Sequence, residues 1–327
     1  MTRMPRFSVS AALVVALAAA TTTAAAPVAT QVEAQGPANV LRGTMLSLAD
    51  APKAPVVLII PGSGPTDRDG NSPLGVKAAS YRLLAEGLAA DGVASVRVDK
   101  RGMFASAAPN VDGNHVTMAD YAADVHAWAA EIRRETGAPC VWAVGHSEGA
   151  LAALVAAQNP KDICGVVLVA GAGRPLAEIL REQLKANPAN APLLPQALPA
   201  IDALAAGRHV DVTGMNPALL PLFSPKVQDF LIDEMAYDPA KLVAAYAGPV
   251  LVLQGTTDLQ TSMADAERLA AARPGVRLIR LDGVNHMLKA APADRAGQMA
   301  TYADPDLPLA PGVASAIADF VKTNPPR

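Results

Sequence analysis

The chain has 327 residues, is 51% hydrophobic and 17% charged, and carries a formal net charge of −3. That length suits one large α/β domain with a modest insertion. There is no Lys/Arg run to give an electrostatic reason for docking on nucleic acid, and no internal repeat at a fixed period.

Arg3 and Arg6 form a basic start, followed by an apolar stretch from Val9 to Ala20 and then Thr and Ala residues. A run of about a dozen residues is shorter than the roughly 20 that span a bilayer, and this pattern is that of a cleaved secretory signal. Residues 1–34 are therefore assigned to a signal peptide, with cleavage after Ala34 or earlier in the Ala-rich stretch. The mature protein is expected to be exported, periplasmic or secreted, with no stable membrane anchor. The two cysteines, Cys140 and Cys164, sit at the starts of consecutive expected strands, and an oxidising compartment would allow them to pair.

Beyond the leader, short β-branched runs alternate with helical patterns. Val56–Ile60 is an apolar run closed by Pro61-Gly62, and Leu83–Ala90 reads as a helix stopped by Gly92. Val93–Val98 is the next strand. From Thr117 the apolar positions Met118, Tyr121, Val125, Trp128 and Ile132 fall at helical spacing, with Thr117 and Asp120 as a capping box and Gly137 as the stop. Strand Val141–Val144, helix Ala150–Ala157, strands Val166–Ala170, Val250–Leu253 and Val276–Leu281, and helix Val313–Val321 complete the series. The alternation predicts βαβ units and a mostly parallel sheet with helices on both faces. Between Arg174 and Gly248 it stops, and the segment turns helical and rich in Pro and Leu. Residues 174–248 read as a cap inserted into a core made of residues 35–173 and 249–327.

Gly145-His146-Ser147-Glu148-Gly149 has the form G-x-S-x-G, a weak signal alone. Here it follows a strand and opens a helix, the strand–turn–helix setting in which a sharp turn projects the serine at the carboxyl edge of the sheet. Ser147 is the expected nucleophile. A serine hydroxyl needs a base, and the base an orienting acid. Of five histidines, His286 alone emerges just after the last strand; His146 abuts the nucleophile, His126 lies in a helix, and His115 and His209 sit in loops. Asp258 follows the strand Val250–Leu253 and is the expected acid, ahead of Asp282 and Asp265. The oxyanion hole is assigned to the backbone N–H groups of Glu148 and Ser63, with Gly62 or Gly64 as alternatives to Ser63. The charged loops Asp67-Arg68-Asp69 and Asp99-Lys100-Arg101 read mainly as loop-fixing ion pairs, although Arg68 or Arg101 would also suit an anionic substrate.

Pro61-Gly62-Ser63-Gly64-Pro65-Thr66-Asp67-Arg68-Asp69-Gly70-Asn71, Asp99-Lys100-Arg101-Gly102, the Gly145–Gly149 elbow, Gln254-Gly255-Thr256-Thr257-Asp258 and Asn285-His286 occur in that order. In this the chain resembles the bacterial α/β-hydrolase carboxylesterases with a GHSEG elbow, often labelled lysophospholipase-like or serine-aminopeptidase-like. The resemblance spans roughly residues 40 to 325 and implies the α/β-hydrolase fold and ester hydrolysis. One departure is Pro61-Gly62, where many relatives carry His-Gly.

The expected reaction is hydrolysis of short to medium acyl esters through an acyl-enzyme, with a small-molecule ester as partner and no metal or organic cofactor. A serine aminopeptidase or amidase with the same triad is the first alternative, for which Glu178, Glu182, Asp229, Asp233 or Glu234 would receive a free amine. A non-catalytic binding protein on the same fold is the second.

Overall fold

The computed structural model describes residues 1, 26–51 and 53–325. Most of the expected leader lies outside the described residues. Its last part does not: β1 (Val28–Gln35) pairs antiparallel with β2 (Val40–Ser47) at the sheet edge, and Ala34 is fully buried. Setting residues up to 34 apart from the fold is thus corrected. Alternation in this segment is masked by its polar residues, because only one end of an edge strand is covered by the core.

β3 (Val56–Ile60), β6 (Ala94–Val98), β7 (Val141–His146), β8 (Ile163–Val169), β9 (Val250–Gly255) and β10 (Arg277–Leu281) supply the rest of an eight-stranded sheet. Its order is β1-β2-β6-β3-β7-β8-β9-β10. β2 joins β6 antiparallel, and all pairs from β6 to β10 are parallel. A two-residue pair, β4 (Asn71–Ser72) and β5 (Val76–Lys77), stands apart from the sheet.

The period of two in β3 sends Val56, Leu58 and Ile60 to one face and Val57 and Ile59 to the other. The first face packs against α2 (Met118–Thr136), α3 (Glu148–Ala157) and α9 (Met263–Ala271); the second against α1 (Ser80–Ala90) and α11 (Val313–Thr323). α2 starts where its apolar spacing does. The Thr117 hydroxyl accepts from Asp120 N–H at 3.1 Å while the Asp120 carboxylate accepts from Thr117 N–H at 3.0 Å, and Gly137 closes the helix in the left-handed region.

Between β8 and β9 lie α4 (Leu176–Ala186), α5 (Leu194–Ala205), α6 (Leu220–Phe223), α7 (Pro225–Met235) and α8 (Pro239–Ala245). Ile201, Leu204, Leu219, Phe223, Leu231 and Met235 form a buried cluster there, separate from those on the two sheet faces. Polar contacts and the packing of Val243 and Tyr246 into the sheet-face core fasten these helices to the rest of the chain. Asp233 accepts from Met118 N–H at the head of α2 (2.7 Å), and Arg174 pairs with both Glu182 and Asp265. A last short helix, α10 (Arg295–Thr301), follows β10.

Cys140 and Cys164 are joined in a disulfide, with Cα atoms 5.2 Å apart and 24 positions apart in sequence. Val141 lies beside Ile163 in the β7–β8 pair, which brings the two sulfurs together. Closing a loop of that size is worth about 3 kcal/mol on chain-entropy grounds. The Cys140→Ser/Cys164→Ser variant should lose about 2–4 kcal/mol in urea unfolding, and the oxidised wild type should titrate no thiol when denatured without reductant. Two titratable thiols would remove the bridge.

Candidate active site

Parallel strands deliver their following loops to one edge of the sheet. β7 leads into Ser147, β9 into the loop with Asp258, β10 into the loop with His286, and β3 into Pro61–Gly64. Ser147 sits at φ 55°, ψ −122°, immediately before the first residue of α3. A non-glycine residue in that region is strained by about 1–3 kcal/mol. The strain is held by hydrogen bonds from Ser147 N–H to Val169 O and from Ala150 N–H to Ser147 O, both 2.9 Å.

The flanking glycines are demanded by close approach. A Cβ on Gly145 would lie 2.1 Å from Gly149 O, and one on Gly149 only 2.3 Å from Ile60 O. A Cβ on Gly62 would sit 3.2 Å from the Cβ of Ser147, which places the Pro61–Gly64 loop against the serine itself.

His286 is buried, and its Nδ1 lies 2.8 Å from Asp258 Oδ2. The other carboxylate oxygen accepts from the N–H groups of Gln260 (2.7 Å) and Thr261 (3.1 Å). Burial alone would raise the Asp258 carboxyl, but the facing imidazole and these N–H donors hold it below its ordinary value. Asp258 is therefore an anion held behind the ring. Asp265, a rival in sequence, is occupied with Arg174 and with capping α9.

The other histidines go elsewhere. His115 and His209 are exposed, the latter on Asp229, and His126 is half-buried in α2. His146 is buried and fully committed. A carbonyl can only accept, so its Nε2 carries the proton donated to His286 O (2.8 Å), and its Nδ1 accepts from the Tyr81 hydroxyl (2.9 Å). Burial, then the neighbouring His286, push His146 down to about 3, so the ring stays neutral.

The Tyr81 oxygen in turn accepts from Gly62 N–H at 2.9 Å. That contact removes Gly62 from the candidate oxyanion donors. The N–H groups of Ser63 and Glu148 have no hydrogen-bond partner among the described residues. Arg68 is bound to Asp99, and Arg101 to Asp120 and Asp124, in structural pairs. Sequence reasoning did not single out Lys100, whose Nζ donates to Gly62 O (2.8 Å) and Glu148 Oε1 (3.2 Å). Nor did it anticipate the Tyr81–His146 pair; both sets of contacts span long sequence distances.

Two cavities meet at Ser147 and Ser63. The larger, about 320 Å³, runs under the helices that follow β8 and is walled by Leu176, Ile179, Leu222, Phe230 and Leu231. The smaller, about 180 Å³, contains His286, Tyr81, Met287 and the β4–β5 turn. Of the five carboxylates weighed as amine receivers, Glu178 is exposed, and Glu182, Asp229 and Asp233 are engaged with Arg174, His209 and Met118 N–H. Glu234 lines the larger cavity, is 6% exposed, and its carboxyl has no hydrogen bond or ion pair among the described residues. Burial, then the facing Glu148, push its carboxyl well above the usual range. Among the described residues no group of three or more His, Cys, Asp or Glu is placed to hold a metal ion.

A family model described as serine aminopeptidase, S33, matches residues 74–290, more than half of the chain. Esterase EstD of Thermotoga maritima is 26% identical over 248 residues, which cover 72% of this chain and 54% of that protein. The chain thus matches about half the length of this curated relative. The Pyrococcus furiosus esterase Pf2001 superposes with a TM-score of 0.57 at 14% identity, covering 91% of each chain. Est1E of Butyrivibrio proteoclasticus, solved with ferulic acid, superposes with a TM-score of 0.55 at 16% identity, covering 90% of this chain and 98% of that one. The fold is that of the α/β-hydrolases.

The tightness of the elbow predicts that Gly145→Ala loses more than about 3 kcal/mol of stability, the range of a severe steric defect. Urea unfolding checks it; a loss under about 0.5 kcal/mol, typical of a surface change, would mean the turn has room to relax.

Proposed function

The chain belongs to the serine aminopeptidase S33 family, and from that premise we propose that it hydrolyses carboxylic esters of short to medium acyl chains by a Ser147–His286–Asp258 acyl-enzyme mechanism. The observation that carries the proposal is the His286–Asp258 contact at 2.8 Å, with His286 and the strained Ser147 lining one cavity. His286 takes the proton from Ser147 Oγ as the oxygen attacks the ester carbonyl. Asp258, kept anionic, stabilises the imidazolium. The carbonyl oxygen becomes an oxyanion held by the free N–H groups of Ser63 and Glu148. His286 then protonates the leaving alcohol, and water repeats the cycle on the acyl-enzyme.

The two cavities divide the substrate. The leaving oxygen must reach His286, so the alcohol part belongs in the smaller cavity, where His286 stands. The acyl chain then occupies the larger, mostly apolar one under the cap, whose volume of about 320 Å³ suits short and medium chains.

An aminopeptidase reading is favoured by one observation, the unpaired Glu234 in the acyl cavity. An ester substrate is favoured over it because burial, then Glu148, push the Glu234 carboxyl well above the usual carboxylate range, which disfavours the anion an ammonium would pair with.

We also propose that the protein is exported and that its leader is cut upstream of Val28, since later cleavage would remove β1 from the sheet. The basic and apolar start of the sequence and the Cys140–Cys164 bridge support this.

Ser147→Ala should abolish turnover of p-nitrophenyl esters with the fold intact. Residual activity of even a tenth would displace Ser147 as the nucleophile. In a series from acetate to palmitate, rates should peak at short or medium chains and exceed those on an aminoacyl anilide. A preference for the anilide, lost in Glu234→Gln, would establish the peptidase instead, and a maximum at palmitate a lipase. Intact mass of the exported protein should place its first residue before Val28; a start within β1 would refute the proposed cut.

A further inference from the structure

We propose that Lys100 is a positioning residue of the oxyanion hole, setting both of its backbone donors through one buried ammonium. The proposal rests on the acyl-transfer reading of Ser147 and names the group that orders the site around it.

Lys100 follows β6 at the same sheet edge as Ser147 and lines the larger cavity with it. Its Nζ donates to Gly62 O at 2.8 Å and to Glu148 Oε1 at 3.2 Å. The first contact acts on Ser63. The Gly62 carbonyl and the Ser63 N–H belong to one peptide unit, and no peptide bond here is cis. In a planar trans unit the two point in opposite directions, so holding the carbonyl fixes the line of the N–H. Tyr81 Oη holds Gly62 N–H from the other side (2.9 Å), so neither peptide plane at Gly62 is free to turn. The second contact acts on Glu148, whose own N–H is the other donor and whose side chain would otherwise be a lone carboxylate at the head of α3.

A merely structural role explains this arrangement poorly. Both side chains of the pair are 6% exposed. Two charges taken out of water gain little net stability, and apolar replacements of buried pairs are often neutral or better. The neighbouring Arg68 and Arg101 fix their loops through Asp99, Asp120 and Asp124, so the loops do not need Lys100 for that purpose. Lys100 instead directs its protons at the two residues flanking the serine, with the Tyr121 ring 5.4 Å from its nitrogen. The Asp99-Lys100-Arg101 and Gly145–Gly149 motifs then belong to one device: Glu148 in the elbow is the counter-ion of the lysine that orients the hole.

The test uses the full-length enzyme. In Lys100→Met, kcat on a p-nitrophenyl ester should fall about 10- to 100-fold, somewhat less than deletion of an oxyanion donor, with KM within about twofold. A trifluoromethyl ketone analogue, which becomes an oxyanion on Ser147, should bind more weakly by the same factor as kcat/KM. The matching secondary alcohol, which has no carbonyl to charge, should bind as to the wild type. Stranding Glu148 will also lower Tm, so the decisive variant is Lys100→Met with Glu148→Gln, which removes the stranded charge. Its Tm should recover while kcat stays low. Recovery of kcat together with Tm, or unchanged ketone binding in Lys100→Met, would reduce the lysine to a stabilising ion. Failure of a fluorophosphonate to label wild-type Ser147 would end the acyl-transfer reading and this role with it. Labelled wild type with fully active variants would end only the role.

Discussion

Behind Ser147 the backbone comes closer than a Cβ permits at two glycines and leaves little room at a third. Gly145 faces Gly149, Gly149 faces Ile60, and Gly62 lies on the serine's own Cβ. This crowding couples β3, β7 and α3 into a single rigid corner, and the strained serine persists because its neighbours over-determine it. The position of every other reacting group is measured from that corner. The parallel register sets how far β9 and β10 carry Asp258 and His286 along the edge. The Pro61–Gly64 loop has one place to lie, against the elbow.

Polar groups beneath the site are arranged to leave few options. His146 can adopt one tautomer, because one ring nitrogen faces a carbonyl and the other a hydroxyl already turned by Gly62 N–H. The chain Gly62–Tyr81–His146–His286 thus runs from the loop beside the proposed oxyanion donors to the backbone of the proposed base. The charged residues follow the same economy. Arg68, Lys100 and Arg101 each have a carboxylate partner, which leaves Glu234 as the buried carboxylate open to the larger cavity.

Much of this was legible from residue order. Apolar runs of four to six residues marked the central strands to within three residues, because a strand buried on both faces must be apolar throughout. The Thr117–Asp120 box and Gly137 marked α2 by local chemistry that needs no tertiary context. Ser147, Asp258 and His286 stood out through their places after strands, and the structure brings Asp258 and His286 into contact. The β1–β2 hairpin was hidden because β1 is mostly exposed and abuts a leader-like composition. Lys100, Tyr81 and His146 were hidden for a different reason. Their partners lie 19 to 140 residues away, and spacing along one chain carries no signal for such meetings. The choice between Gly62 and Ser63 as a donor likewise needed the Tyr81 hydroxyl in view.

The helices between β8 and β9 carry a hydrophobic cluster of their own, while Val243, Tyr246 and Phe230 join the apolar core on the α2/α3 face of the sheet. Substitutions confined to the separate cluster add independently of those in the sheet, since distant sites without shared partners do not couple. Changes at Leu222, which packs against the separate cluster, would redraw the larger cavity while leaving the strained corner and the His286–Asp258 contact untouched. Substrate preference in this architecture is therefore free to drift in evolution, or to be redesigned, at a rate set by the tolerance of the cap rather than by the conservatism of the chemistry.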